Sequence, residues 1–272
     1  MPIEKGKNGL MRRATVLVLL LVALLRVAQP AWAATVTVAA AGDIARASFA
    51  SPQQQTADLV TAFNPTAVFA LGDEQYPHGA LSDFQRYYDA SWGAFKSITN
   101  PIPGNHEYET SGAQGYYAYF GAAAGDPSKG YYSFNIGDWH VVALNSECKH
   151  INCPAEKAWM RTDLSADNHL CEVAIYHRTG LSWPRKIMEA AGGDLALAGH
   201  NHVYERWAPE SGLVRFTVGT GGDSLGTPDP HATVGIATYG VLELTLQTSS
   251  YSWSFVDTDG VVRDSGSNTC HS

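Results

Sequence analysis

Five points along the chain share one arrangement: an apolar run, then a glycine or a tight turn, then a side chain able to hold a metal ion. They are Gly42-Asp43, Gly72-Asp73, Gly104-Asn105-His106, the run Val173-Ala174-Ile175-Tyr176 ending at His177, and Gly199-His200-Asn201-His202. Taken singly each is weak, because Gly-Asp commonly closes a surface turn and a strand-final histidine is commonly structural. Five together are hard to explain as coincidence. Carboxylates, one amide oxygen and imidazoles suit two first-row ions of charge two or three. One aspartate with two oxygens can bridge such ions at about 3.5–4 Å, and together they bring a bound water to a pKa of about 7 and clamp a phosphoryl oxygen.

Ligands of this kind belong at the carboxyl ends of strands in an α/β sheet, so the elements before them must be strands. Thr35 to Ala41 has the β-branched alternation of a first strand, residues 67–71 form a short buried one, and Ile98 to Pro103 is extended. Cys171 to Tyr176 and Asp194 to Ala198 complete the set. Tyr131 to Ile136 and Trp139 to Leu144 flank Gly137-Asp138, a hairpin signal. Helical spacing runs over Thr56 to Phe63, Leu81 to Phe95, Gln114 to Phe120, Pro154 to Leu164 and Trp183 to Ala191. The Leu81–Phe95 stripe of Phe84, Tyr87, Tyr88, Trp92 and Phe95 reads as core. Residues 213–219, 238–247 and 250–257 alternate and read as antiparallel strands. Helices and strands alternate early and strands dominate late, which predicts a mixed sheet with helices on its outer faces.

Residues 11–33 read as a secretory leader: Arg12-Arg13, an apolar core from Thr15 to Leu25, and the small-x-small site Ala31-Trp32-Ala33. The apolar run is about half the ~20 residues a membrane span needs, so no stable anchor is expected, and the start can equally be placed at Met11. This reading makes 1–33 a leader and 34–272 a single domain, secreted, periplasmic or extracellular. The leader carries five Lys/Arg and one Glu, leaving 13 basic and 25 acidic side chains, net −12. Such a surface repels nucleic acid, so an anionic substrate needs strong local positive charge. Cys148, Cys153, Cys171 and Cys270 suit an oxidising compartment. Four cysteines allow three connectivities and the sequence does not choose; Cys148–Cys153 and Cys171–Cys270 are the expected pairs.

The series Gly-Asp, Gly-Asp-x-x-Tyr, Gly-Asn-His-Glu, strand-final His and Gly-His-x-His, in that order over residues 36–206, resembles the calcineurin-like metallophosphoesterases and, within them, the purple acid phosphatases. His200-Asn201-His202-Val203-Tyr204-Glu205-Arg206 resembles the plant purple phosphatase signature. The resemblance implies an α/β fold (α+β in some schemes), a mixed-sheet β-sandwich flanked by helices. It implies that Asp43, Asp73, Tyr76 and His202 bind a first metal, that Asp73 bridges, and that Asn105, His177 and His200 complete the second. His106 would contact the phosphate and either protonate the leaving oxygen or stabilise the transition state, while Glu107 orients that imidazole or stays at the surface. Many relatives have Asp-x-His at the first motif, where this chain has Ala45. Tyr76 can replace the missing ligand; a phenolate favours Fe(III), with Zn, Mn or Fe in the second site. The alternative is a packed tyrosine in a strand-end loop.

Two departures stand out. His177 is followed by Arg178-Thr179-Gly180, where related secreted phosphatases often have a second histidine, and only 23 positions separate His177 from His200. Arg178 is either a phosphate ligand or a solvated loop residue. The expected function is a secreted dinuclear metal-dependent phosphoric monoester hydrolase, acid phosphatase-like, in which metal-bound hydroxide attacks the phosphoryl group of a small phosphorylated substrate. A phosphodiesterase or nucleotidase, or a non-catalytic secreted binding domain, are the alternatives.

Overall fold

The short apolar runs before each Gly-Asp or Gly-His pair fold as parallel strands. A computed structural model describes residues 1–3, 35–48 and 52–271. The chain divides into the units Met1–Trp32 and Ala33–Ser272. The leader expected over 11–33 lies outside the described residues, and the sheets, helices and candidate site all belong to the larger unit. No helix among the described residues is long and apolar enough to cross a membrane.

In chain order the strands are β1 (Val36–Ala41), β2 (Ala67–Ala70), β3 (Thr99–Pro101), β4 (Tyr132–Ile136), β5 (Trp139–Ala143), β6 (Cys171–Tyr176) and β7 (Leu195–Ala198). They continue as β8 (Tyr204–Glu210), β9 (Leu213–Val218), β10 (Val234–Ile236), β11 (Gly240–Gln247), β12 (Ser250–Asp257) and β13 (Val262–Thr269). The helices are α1 (Gln53–Phe63), α2 (Leu81–Asp83), α3 (Gln114–Phe120), α4 (Cys153–Ala166) and α5 (Ser182–Ala191). One sheet has the order β13-β12-β11-β1-β2-β3 and the other β10-β8-β9-β7-β6-β5-β4. β1, β2 and β3 run parallel, as do β5, β6, β7 and β9. Both sheets are mixed, as expected.

Alternation decides what each sheet face touches. In β6, Val173 and Ile175 join the core shared by the two sheets, while Ala174 and Tyr176 face Met160 and Leu164 of α4 and Ile187 and Met188 of α5. With both faces covered, all six residues of β6 are buried, which explains why the strand reads as continuous apolar sequence around one glutamate. Aromatic pairs cross between the sheets: Phe69–Phe134, Trp139–Tyr251 and Phe216–Trp253 have ring centroids 6.1, 5.6 and 5.5 Å apart. α4 starts where the Asn152 side chain accepts the Ala155 N–H at 3.2 Å, with Pro154 in its first turn. The cysteines pair Cys148–Cys153 and Cys171–Cys270.

Three expectations need correction. Leu81–Phe95 is not one amphipathic helix: α2 passes into a wide turn at Phe84–Tyr88, where the Asp89 N–H reaches Phe84 O at 2.9 Å, and then into a tight 3₁₀ stretch at Trp92–Ile98. The widened turn lets Phe84 stack on Tyr119 at 5.0 Å and meet Tyr88 and Phe120 edge-on, which an unbroken helical spacing would not. The segment 213–219 does not extend the antiparallel sheet of β11 and β12; β9 lies in the other sheet, parallel to β7 and antiparallel to β8. β8, β10 and β13 were not expected as strands.

Candidate metal centre

The ligand-bearing turns converge from both sheets. Asp43 follows β1, Asp73 and Tyr76 follow β2, and Asn105 and His106 follow β3; His177 follows β6, and His200 and His202 follow β7. All eight predicted residues come together. Three of them, Asp43, Asp73 and His200, hold left-handed backbone (φ 57°, 51° and 68°), a conformation non-glycine residues adopt at a cost. Gly104 is required by proximity: a Cβ there would lie 2.2 Å from Asp73 Oδ1.

The Tyr76 hydroxyl sits at the meeting point of the first group. It donates to Asp43 Oδ1 at 2.7 Å and lies 3.1 Å from Asp73 Oδ2 and 3.0 Å from His202 Nε2. His202 Nε2 is 3.1 Å from Asp43 Oδ1. The second group shares Asp73: His177 Nε2 lies 3.1 Å from Asp73 Oδ2 and 3.3 Å from Asn105 Oδ1, and the His177 and His200 rings are 5.0 Å apart. Ligand atoms of Asp73, His177 and His200 all fall within 4.8 Å of one another.

The imidazoles are oriented for coordination. His177 Nδ1 donates to Leu71 O at 2.9 Å and His202 Nδ1 to Ser224 O at 2.5 Å. A carbonyl can only accept, so each Nδ1 carries a proton and Nε2 is the nitrogen left to face an ion. Two carboxylates, a phenol, an amide and three imidazoles around one bridging aspartate form a donor set that fits two hard or borderline cations. Burial would lower the basicity of His177, but the Asp73 carboxylate and its hydrogen bond hold it up at about 10. Burial and the positive neighbours His177 and Arg178 bring His200 down to about 4. Burial, then the Asp43 and Asp73 carboxylates, push the Tyr76 phenol well above its ordinary value. A phenolate there requires a strongly charged cation in compensation.

Glu107 corrects an expectation. It neither orients His106 nor lies at the surface. Fully buried, it accepts the backbone N–H groups of Asp73 and Gly104 at 2.8 Å each and of Gln75 at 3.2 Å. It therefore ties the β2 and β3 ligand loops to each other. His106 is instead held by Pro77 O, which accepts from Nδ1 at 2.6 Å, and by its ring against Tyr76 at 4.2 Å. Its Nε2 faces the site, 4.0 Å from Asp73 Oδ2, and its side chain is 30% exposed. Arg178 is not free in solvent: Nε donates to Glu147 Oε1 at 2.7 Å and Nη1 stands 3.3 Å from His200 Nε2. Glu147, Pro77 and Ser224 were missed in the sequence, and only Glu147, beside Cys148 of a short disulfide loop, had any local mark.

The signature after His202 is structural. Asp264 of β13 accepts from the Tyr204 hydroxyl at 2.6 Å, Arg206 Nε at 2.8 Å and Nη2 at 3.1 Å, and Trp253 Nε1 at 3.2 Å.

Comparison with known proteins identifies the family and the fold. The family model Calcineurin-like phosphoesterase matches residues 36–204. Purple acid phosphatase 23 of Arabidopsis thaliana is 30% identical over 177 residues, 52% of this chain and 38% of that protein. The chain thus spans well under half the length of that relative. Among solved structures, purple acid phosphatase PPD1 from yellow lupin (Lupinus luteus) seeds superposes with a TM-score of 0.70 at 17% identity, over 89% of this chain and 55% of that one. GAP50, the anchor in the inner membrane complex of Plasmodium, superposes with a TM-score of 0.65 at 11% identity, over 88% and 90%. At these identities the two structures speak for the fold alone.

Proposed function

The chain belongs to the calcineurin-like phosphoesterase family, and from that premise we propose that it hydrolyses phosphoric monoesters at a centre of two metal ions, in the manner of the purple acid phosphatases. The observation that carries the reading is the Tyr76 hydroxyl among Asp43, Asp73 and His202, at 2.7, 3.1 and 3.0 Å. It supplies the donor that Ala45 cannot.

Asp43, Tyr76 and His202 would hold the first ion, Fe(III); Asn105, His177 and His200 the second, Zn, Mn or Fe; Asp73 would belong to both. Bound there, the ions acidify water and neutralise phosphoryl charge. The chain's own residues do the rest. His106 Nδ1 is committed to Pro77 O, so Nε2 carries a proton only when the ring is an imidazolium. In that state it can give the proton to the departing alkoxide. Arg178, aligned by Glu147, presents Nη1 at the rim beside His200 and offers a phosphate the contact that the missing second histidine would make. The leader reading of residues 1–33 and export belong to the same proposal, supported by the two disulfides. The substrate is a small phosphorylated molecule.

Rates on p-nitrophenyl phosphate and on bis(p-nitrophenyl) phosphate, with metal analysis and a visible spectrum, test it. A monoester preference with iron and a charge-transfer band in the green is expected. Tyr76→Phe should lose the band, and Asp73→Ala should lose metal and turnover together. Faster diester cleavage moves the chain to a phosphodiesterase, and full activity in Asp73→Ala sinks the dinuclear reading.

A further inference from the structure

We propose that the chain holds a third metal site, a structural zinc site, at the opposite end of the strands from the dinuclear centre. Its ligands are His140 Nδ1, His169 Nδ1 and Asp167 Oδ1, with the Glu172 carboxylate standing beside them as the cross-strand partner of His140.

Alternation puts these residues together. On β5, Val142 faces the helices with Leu144 just beyond it, and on β6 Ala174 and Tyr176 do so. His140 and Glu172 share that parity and are register partners across the β5–β6 pair, while Asn135 is the partner of His140 across the hairpin. The end of α4 and the loop after it bring Asp163, Asp167 and His169 over the same face. His140 lies at the start of β5, and Glu172 is five residues before His177 on β6, about 16 Å along an extended strand.

The hydrogen bonds prepare the donors. His140 Nε2 pairs with Asp163 Oδ2 at 2.8 Å, and Asp163 Oδ1 accepts from Ser133 Oγ at 2.9 Å. That carboxylate–imidazole pair keeps a proton on Nε2, the arrangement found behind metal-bound histidines, and a zinc ion would take the place of the proton that Nδ1 gives to Asn135 Oδ1 at 2.7 Å. Asp167 Oδ2 accepts the His169 backbone N–H at 2.9 Å, leaving Oδ1 to the two rings: 2.7 Å from His169 Nδ1 and 3.6 Å from His140 Nδ1. The ligand atoms of the three residues lie within 4.8 Å of one another. Donors around a tetrahedral zinc with bonds of about 2.0–2.1 Å stand about 3.3 Å apart, between the two distances seen. Asn135 Oδ1, 2.7 Å from His140 Nδ1, lines the same spot.

Glu172 adds a second buried carboxylate on the same face. It is 9% exposed, beside His140, and its Oε2 has no hydrogen-bond partner. A buried carboxylate with an open oxygen among other carboxylates is stabilised by a cation. A structural ion here would pin the end of α4 to β4, β5 and β6.

The test uses zinc alone, and cobalt(II) as its spectroscopic substitute, on the full chain. In a chain with Asp73→Asn and His200→Gln, one zinc per chain should survive dialysis, and cobalt(II) should give the intense visible bands of a tetrahedral site. Adding His169→Gln should weaken zinc binding about a hundredfold, and Glu172→Gln about tenfold. In the otherwise unaltered chain, His169→Gln should lower the metal count by one and leave phosphatase turnover unchanged. That arm holds whether or not the doubly substituted chain folds. Retention of the same count in His169→Gln, or a proton in place of zinc (no ion bound, with His140 persistently doubly protonated by NMR), overturns the proposal. Neither result touches the dinuclear reading.

Discussion

Arg178 reaches the rim of the dinuclear site because Glu147, itself 3% exposed, holds its Nε at 2.7 Å. A guanidinium on a phosphate makes charge-assisted bonds worth roughly 1.5–3 kcal/mol, so Arg178→Ala should lower kcat/KM on a phosphomonoester by about 10–100-fold. Lysine should not restore it, since it lacks the planar fork, and Glu147→Gln should show a smaller loss of kcat/KM through a raised KM. Steady-state kinetics on the three variants decide; unchanged kcat/KM in Arg178→Ala returns that residue to the solvated loop. The proposed metal ligands were legible as a cluster because each sits just past a strand, where a turn residue and a donor are both local facts. Glu107 was not legible. Its partners are backbone N–H groups up to 34 residues away, and nothing beside it in the chain announces them.

Asp264 does for elements what Glu107 does for loops. From edge strand β13 it binds Tyr204 and Arg206 of β8 and Trp253 of β12, so one carboxylate joins the two sheets at their margin. Removing it leaves a half-buried guanidinium and a buried phenol without their acceptor. Asp264→Ala should therefore cost about 3 kcal/mol, read as a lower urea midpoint, with KM unchanged. β13 escaped the sequence because Val262–Thr269 has no apolar face to alternate: it is covered on one side only, by Trp253, against which Gly266 packs. The break in Leu81–Phe95 escaped for another reason. The spacing of its aromatics is compatible with a helix, and only the α3 aromatics, distant in sequence, make the widened turn preferable.

At the scale of the whole molecule, buried carboxyl groups set the pH at which the fold is firmest. Burial pushes Glu156 up from 4.5 to about 8, against the Asn145 N–H that it accepts at 2.7 Å. The native chain then keeps a proton that the unfolded chain releases. That contribution is fully present below about pH 4.5 and is lost as pH rises through about 8. Urea unfolding should show stability falling by about 3 kcal/mol more between pH 5 and 8 in the natural chain than in Glu156→Gln. Equal slopes in the two chains would remove Glu156 as the cause. The parallel strands and the two-sheet plan were readable from alternation and from the order of turns, but which sheet took β9 was not, since pairing is decided by neighbours that the local pattern does not name. The ligands themselves are divided between the sheets. Asp43, Asp73, Tyr76 and Asn105 hang from one and His177, His200 and His202 from the other. Neither half owns the whole donor set, so a pair of ions held there would bridge the two sheets across their seam. Metal content would then be a gauge of assembly, reading how well the two sheets are seated against each other.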